Sequence, residues 1–137
     1  LKKHLARHSL GDLGLDTFNY NGHTTTSDAL WAGLPVLTKI GKSFAARVSA
    51  SILNAIGLPE LITYSEKEYE DKAINLAKHP DEILLLKSKI NKFKETSTLY
   101  NSELYTRDLE NKFKELLLTQ KLLQESQTQK QLKKNKT

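Results

Sequence analysis

The stretch Leu34–Thr38 (LPVLT), placed directly after Gly33, constrains this chain most. It is continuously apolar up to its last residue, with no alternation. A strand hydrophobic on both sides must be covered on both sides, as strands are in a parallel sheet flanked by helices. Its neighbours fit that reading. Asp12–Thr17 (DLGLDT) alternates apolar and polar residues like a short strand, and Leu61–Thr63 (LIT) reads as another. Between them lie two helical patterns. The first is His23–Ala32, whose threonine run offers N-caps and which Gly33 stops. The second is Phe44–Ile56, capped by Ser43, with Phe44, Val48, Ile52 and Ile56 recurring at i+4 and Gly57 and Pro59 beyond its end. Strands alternating with helices predict an α/β fold with a partial parallel sheet.

The rest of the pattern is helical. Leu1–Ser9 reads as a helix end with Leu1, Leu5 and Leu10 on one face. Ser65 and Glu68 form a capping box that opens a helix to about Lys78. His79-Pro80-Asp81 breaks it, and a helix from Asp81 to Lys94 follows. Thr96–Ser102 connects to a last helix, from Glu103 to at least Leu118. Trp31 is expected in the core.

Composition excludes several classes. The 137 residues contain no Cys, so neither disulfides nor a thiolate site is available. No apolar run approaches the roughly 18–20 residues of a membrane span, and no leader pattern opens the chain, so a cytoplasmic setting without membrane contact is expected. There is no Met, so the chain is expected to be a piece of a longer protein. The net charge of +5 invites a nucleic-acid reading. Residues 121–137, however, hold five lysines and one glutamate, so most of the excess sits there. Residues 119–137 read as a basic polar tail, a frayed helix or a disordered segment. No aromatics interleave with its lysines, so no nucleic-acid partner is expected.

The segment Asn19–Asp28 (NYNGHTTTSD) carries the chemistry. It lies between a strand end and a helix start, the place where open α/β sheets bind ligands. Free N–H groups and the positive end of the helix dipole suit an anion such as phosphate. Gly22 allows close backbone approach, His23 adds a donor, Thr24 and Thr25 add hydroxyls, and Asp28 could hold a sugar hydroxyl. The alternative is simply a helix with a turn before it. Gly41-Lys42-Ser43 is not a P-loop, because the first glycine of that motif would fall at Val36. Arg47 reads as a packing or ion-pair residue. His4 and His8 share a helix face at i,i+4, but no third ligand is apparent, so no metal is expected. There is no G-x-S-x-G elbow either.

Three segments, Asp16–Thr38 (DTFNYNGHTTTSDALWAGLPVLT), Gly41–Thr63 and Glu68–Pro80, closely resemble the C-terminal catalytic region of O-GlcNAc transferases and their bacterial relatives, glycosyltransferase family 41. The likeness weakens over Thr96–Phe113. It implies the C-terminal Rossmann-like half of a GT-B fold, with residues 1–118 as a partial UDP-sugar-binding domain and its closing helices. It also implies inverting transfer of N-acetylglucosamine from UDP-GlcNAc to Ser or Thr hydroxyls of proteins, with no metal or other cofactor. The acceptor protein would be recruited by tetratricopeptide repeats upstream. Residue by residue, it implies that His23, Thr24 and Thr25 contact the diphosphate, that Asp28 holds the ribose, and that His4 lies against the uracil with Arg7 nearby. His23 would be the catalytic residue of this segment, stabilising the leaving group, while the general base lies elsewhere. The family often has a lysine where this chain has Leu1. A non-catalytic nucleotide- or protein-binding module is the competing expectation.

Overall fold

A computed structural model of the chain describes residues 2–134. In chain order it contains α1 (Lys2–Ala6), which runs into a 3-10 turn at Arg7–Leu10, then β1 (Gly14–Leu15), α2 (Thr24–Trp31) and β2 (Val36–Lys39). Next come α3 (Val48–Ala55), a 3-10 turn at Pro59–Leu61, β3 (Ile62–Thr63), α4 (Glu66–Lys78) and α5 (Pro80–Phe93). A 3-10 turn at Thr98–Tyr100 and α6 (Ser102–Lys134) complete the chain. Two compact units result, one ending at Tyr100 and one beginning at Asn101.

The first unit is α/β. Its sheet has the order β1-β2-β3, all parallel. Gly14 lies opposite Val36 and Leu15 opposite Leu37; on the other edge Thr38 faces Ile62 and Lys39 faces Thr63. β2 is therefore the central strand, which accounts for its unbroken apolar run. Val36, Leu37 and Thr38 are all buried, as are Leu34 and Pro35 before them. Around them pack Leu30 of α2, Leu53 of α3, Leu76 of α4, Leu86 and Ile90 of α5, and the connecting residues Leu58 and Leu61. Each such side chain contributes roughly 1.5–3 kcal/mol by leaving water. The parallel strand ends gather the following loops at one edge of the sheet.

The start of α4 follows the sequence closely. Ser65 Oγ accepts from Glu68 N at 3.1 Å, and the Glu68 carboxylate reaches back to Tyr64 N at 2.7 Å. α5 begins with Pro80 at its first position, where a missing N–H costs nothing.

Several expectations are corrected. The second crossover helix starts at Val48, not Phe44. Residues 43–47 form a turn in which Ser43 Oγ accepts from Ala46 N at 3.3 Å, and Phe44 is 83% exposed. The i+4 row of large residues misled because α3 buries small ones, Ser49 and Ala50, with Leu53. Small side chains let α3 approach closely but leave no hydrophobic signature. Trp31 is not core: it is half-exposed, edge-on to Tyr100 with ring centroids 5.0 Å apart. In α1 and its 3-10 turn nothing is buried; Leu5 is half-buried and Leu10 exposed, while Leu1 lies outside the described residues. β1 is shorter than Asp12–Thr17 because the side chains of Asp16 and Thr17 bond to the loop that follows.

The second unit is α6, which passes residue 118 without a break. The segment from 119 is helical to Lys134, and residues 135–137 lie outside the described residues. No described helix is long and apolar enough to cross a membrane.

Candidate functional site

β1 ends at Leu15, and Asp16 then organises the loop to α2. Its Oδ1 accepts from Thr17 N at 3.0 Å and Gly22 N at 2.7 Å, while Oδ2 accepts from Thr38 Oγ1 of β2 at 2.6 Å. One carboxylate thus ties both ends of a six-residue turn to the central strand, and a charged acceptor makes each bond stronger than a neutral one. Asn19 takes the left-handed conformation at the tip, with φ 66°, which asparagine tolerates. Thr17 Oγ1 donates to Tyr20 O, and the buried Asn21 donates through Nδ2 to Thr17 O at 2.9 Å.

Gly22 sits where no side chain fits. A Cβ there would fall inside contact distance of Thr26 Oγ1 and 2.8 Å from Thr25 Oγ1. Ser49 of α3, fully buried, donates to Gly22 O at 2.8 Å and shares a 2.9 Å hydrogen bond with Thr26 Oγ1. These contacts hold the start of α2 against α3. His23 is the N-cap residue, with φ −106° and ψ −91°, and its side chain makes no capping bond. The threonines expected to cap this helix lie inside it, Thr24 and Thr25 exposed and Thr26 buried. The first turn of α2 therefore keeps its N–H donors uncapped by its own cap residue, at the carboxyl end of β1.

Aromatic rings surround this helix start. The His23 imidazole stacks on Tyr20 with centroids 5.1 Å apart and an 11° tilt, and Phe44 meets it edge-on at 6.3 Å. His23 Nε2 is sealed from solvent and has no hydrogen-bond partner among the described residues. One turn along α2, Asp28 lies 3.4 Å from His4 Nε2, and His4 meets His8 edge-on at 5.5 Å. A cleft of about 220 Å³ runs between His8, Asp16, Gly22, Thr25 and Thr26. The site residues thus fall into two adjoining groups, His23–Thr25 and His4–Asp28. Arg7 is exposed on the 3-10 turn, and no recorded contact joins it to either. The Arg47 guanidinium donates to Gly41 O at 3.1 Å and lines a separate groove of about 540 Å³ with Phe44 and Ile52.

Two phenols brace the arrangement. Tyr69 donates to Asp16 O at 3.0 Å; burial pushes its pKa up, and the Asp16 charge adds to that. Tyr100 donates to Ser27 O of α2 at 2.9 Å, and burial raises its pKa despite that bond, with the Asp28 charge acting in the same direction. Both therefore remain neutral donors at physiological pH. Sequence reasoning missed Asp16, Ser49 and Tyr20. The signal for Asp16 was an acidic residue at a strand end, six residues before a glycine that opens a helix.

A helix start that its own N-cap side chain leaves open, beyond the end of a parallel strand, lies where open α/β sheets bind ligands. Likeness to known proteins places the chain in a family. Residues 1–109 match the model of Glycosyl transferase family 41, and the chain belongs to that family. It is 37% identical over 110 residues, 80% of its length, to the UDP-N-acetylglucosamine--peptide N-acetylglucosaminyltransferase of Caenorhabditis elegans. It is 33% identical, over 92% of its length, to the probable UDP-N-acetylglucosamine--peptide N-acetylglucosaminyltransferase SPINDLY of Solanum lycopersicum. A solved mutant of the Thermobaculum terrenum O-GlcNAc transferase superposes on 82% of the chain with a TM-score of 0.78 and 31% identity. The chain spans only 10% and 15% of those two curated relatives and 22% of the solved chain.

Proposed function

We propose that this chain is the nucleotide-diphosphate-binding part of a glycosyltransferase that moves N-acetylglucosamine from UDP-GlcNAc to Ser or Thr hydroxyls of proteins. The observation that carries the reading is the uncapped start of α2, held rigidly by Asp16, Gly22 and Ser49 at the end of β1 in a chain of family 41. This would be the C-terminal half of a GT-B enzyme, with the acceptor protein and general base supplied by the longer protein.

The physics of the reaction suits the geometry. UDP is the leaving group, and negative charge grows on its β-phosphate as the glycosidic bond breaks. Fixed donors at that point favour the transition state, and single donors contribute about 3–4 kcal/mol in other enzymes. The N–H groups of the first turn of α2, the hydroxyls of Thr24 and Thr25, and His23 would provide them without a metal ion. Asp28 would take the ribose hydroxyls and His4 the face of the base. Asp28 Oδ2 lies 3.4 Å from the His4 ring edge, so the two would meet the nucleoside side by side.

Titration of this chain with UDP tests the binding half of the reading. UDP should bind, and Asp28→Ala should weaken it about tenfold, the loss of one charge-assisted hydrogen bond. In the longer enzyme, His23→Ala should reduce turnover more than it weakens UDP-GlcNAc binding. Equal losses, or none, would overturn the leaving-group role.

A further inference from the structure

No hydrogen bond among the described residues orients the His23 imidazole: it makes no capping bond, and Nε2 is sealed without a partner. Two aromatic rings meet it instead, and they come from different loops. Tyr20 stacks on it from the loop after β1, with centroids 5.1 Å apart and an 11° tilt. Phe44 meets its edge from the turn after β2, at 6.3 Å and 84°. The two loops are joined where Asn21 N donates to Ala45 O at 2.9 Å. Tyr20 is held by its backbone. Its N–H donates to Phe18 O at 2.7 Å, its carbonyl accepts from Thr17 Oγ1 at 2.6 Å, and the left-handed Asn19 precedes it. The residue is nonetheless 67% exposed, so it adds little to the core, and the imidazole is the ring that it covers.

We infer that Tyr20 is a positioning residue of the site: its ring face takes the place of the missing hydrogen bond and sets the plane of the His23 imidazole. The inference rests on the reading of the α2 start as the diphosphate site. An unheld imidazole turns about two side-chain torsions, and a bond to phosphate would have to fix both on arrival. A ring already stacked in an offset pair gives up less freedom when the anion binds. The near-parallel stack on Tyr20 fixes the ring plane, and the edge contact with Phe44 limits sliding within it. Tyr20 therefore acts through His23 and not on the nucleotide. The stack requires an aromatic face, so the Tyr20 hydroxyl is dispensable.

Two measurements on this chain test it, and the first needs no nucleotide. The proton resonances of the His23 ring, identified by their loss in His23→Ala, should be displaced upfield by the Tyr20 ring current. Tyr20→Leu should move them downfield, and Tyr20→Phe should not. Resonances that stay in place in Tyr20→Leu overturn the inference. The second measurement is a double-mutant cycle on UDP affinity. Tyr20→Leu should weaken UDP binding about three- to tenfold when His23 is present, the range for one aromatic pair. In the His23→Ala background the same change should weaken it by less than about twofold. Tyr20→Phe should keep the wild-type affinity. An equal loss in both backgrounds overturns the inference, because a ring that touches UDP itself, or a loop that merely loosens, acts whether or not His23 is there. A loss in Tyr20→Phe as large as in Tyr20→Leu overturns it too, since the hydroxyl then carries the effect. A wild-type chain that binds no UDP overturns the diphosphate reading and this inference with it. UDP binding with equal losses in the two backgrounds overturns this inference alone.

Discussion

The starts of α2 and α4 are the same problem solved in opposite ways. Both helices follow a strand of one sheet and present unpaired N–H groups at their first turn. At α4 the chain closes the end itself: Ser65 receives Glu68 N, and Glu68 returns to Tyr64 N. At α2 the cap residue is a histidine whose side chain makes no capping bond. The loop before it is nonetheless the more heavily fixed of the two, through Asp16, Thr38 and Ser49. A helix end left open inside a rigid frame is the arrangement expected where a ligand, not a side chain, completes the first turn.

The contrast can be broken at several points. Gly22→Val should have the largest effect, because its Cβ collides with the hydroxyls of Thr25 and Thr26. A loss of about 3 kcal/mol in urea denaturation is expected, together with loss of UDP binding. Asp16→Ala follows, leaving Gly22 N and Thr38 Oγ1 without their acceptor. About 2–3 kcal/mol should be lost, and UDP affinity should fall with it. Ser65→Ala should cost about 1 kcal/mol, the value of a helix cap, and leave UDP binding unchanged. If it also weakened UDP binding, the functional separation of the two helix starts would collapse. His23→Asp sharpens the comparison from the other side. A capping carboxylate should add about 0.5–1 kcal/mol of stability and weaken UDP binding, since it places negative charge where phosphate is to sit.

The smallest effect is a pH dependence. Burial raises the Tyr100 pKa above the ordinary value of 10.0. The neutral phenol is favoured in the fold, so its contribution is complete below pH 10 and declines as pH rises through the higher folded value. Comparing denaturation at pH 9 and pH 11 for the wild type and for Tyr100→Phe should show a smaller decline in the variant.

How much of this could be read in advance depended on side-chain size. β2 was legible because a strand buried on both faces must be apolar throughout, and α4 because Ser65 and Glu68 stand at capping-box spacing. The place of the candidate site in the fold was legible for a similar reason: Gly22-His23-Thr24-Thr25 falls between a strand and a helix and carries the family resemblance. α3 was misplaced because its register is set by Ser49, Ala50 and Gly22, whose close approach has no hydrophobic signal. Trp31 was misassigned because a large aromatic is as serviceable half-exposed against Tyr100 as it is in a core. The Asp16 clasp joins residues 22 apart in sequence, a pairing that no local pattern encodes.

That clasp has a kinetic corollary. The amide of Gly22 lies in a surface loop, yet its proton is held by a carboxylate that is itself bonded to the central strand. It should exchange with deuterated solvent on the timescale of the β2 amides, not of the neighbouring turn. A loop that opens only when the sheet opens gives up little motion when an anion arrives. Capture at the α2 start should therefore be fast, with no slow rearrangement following the encounter.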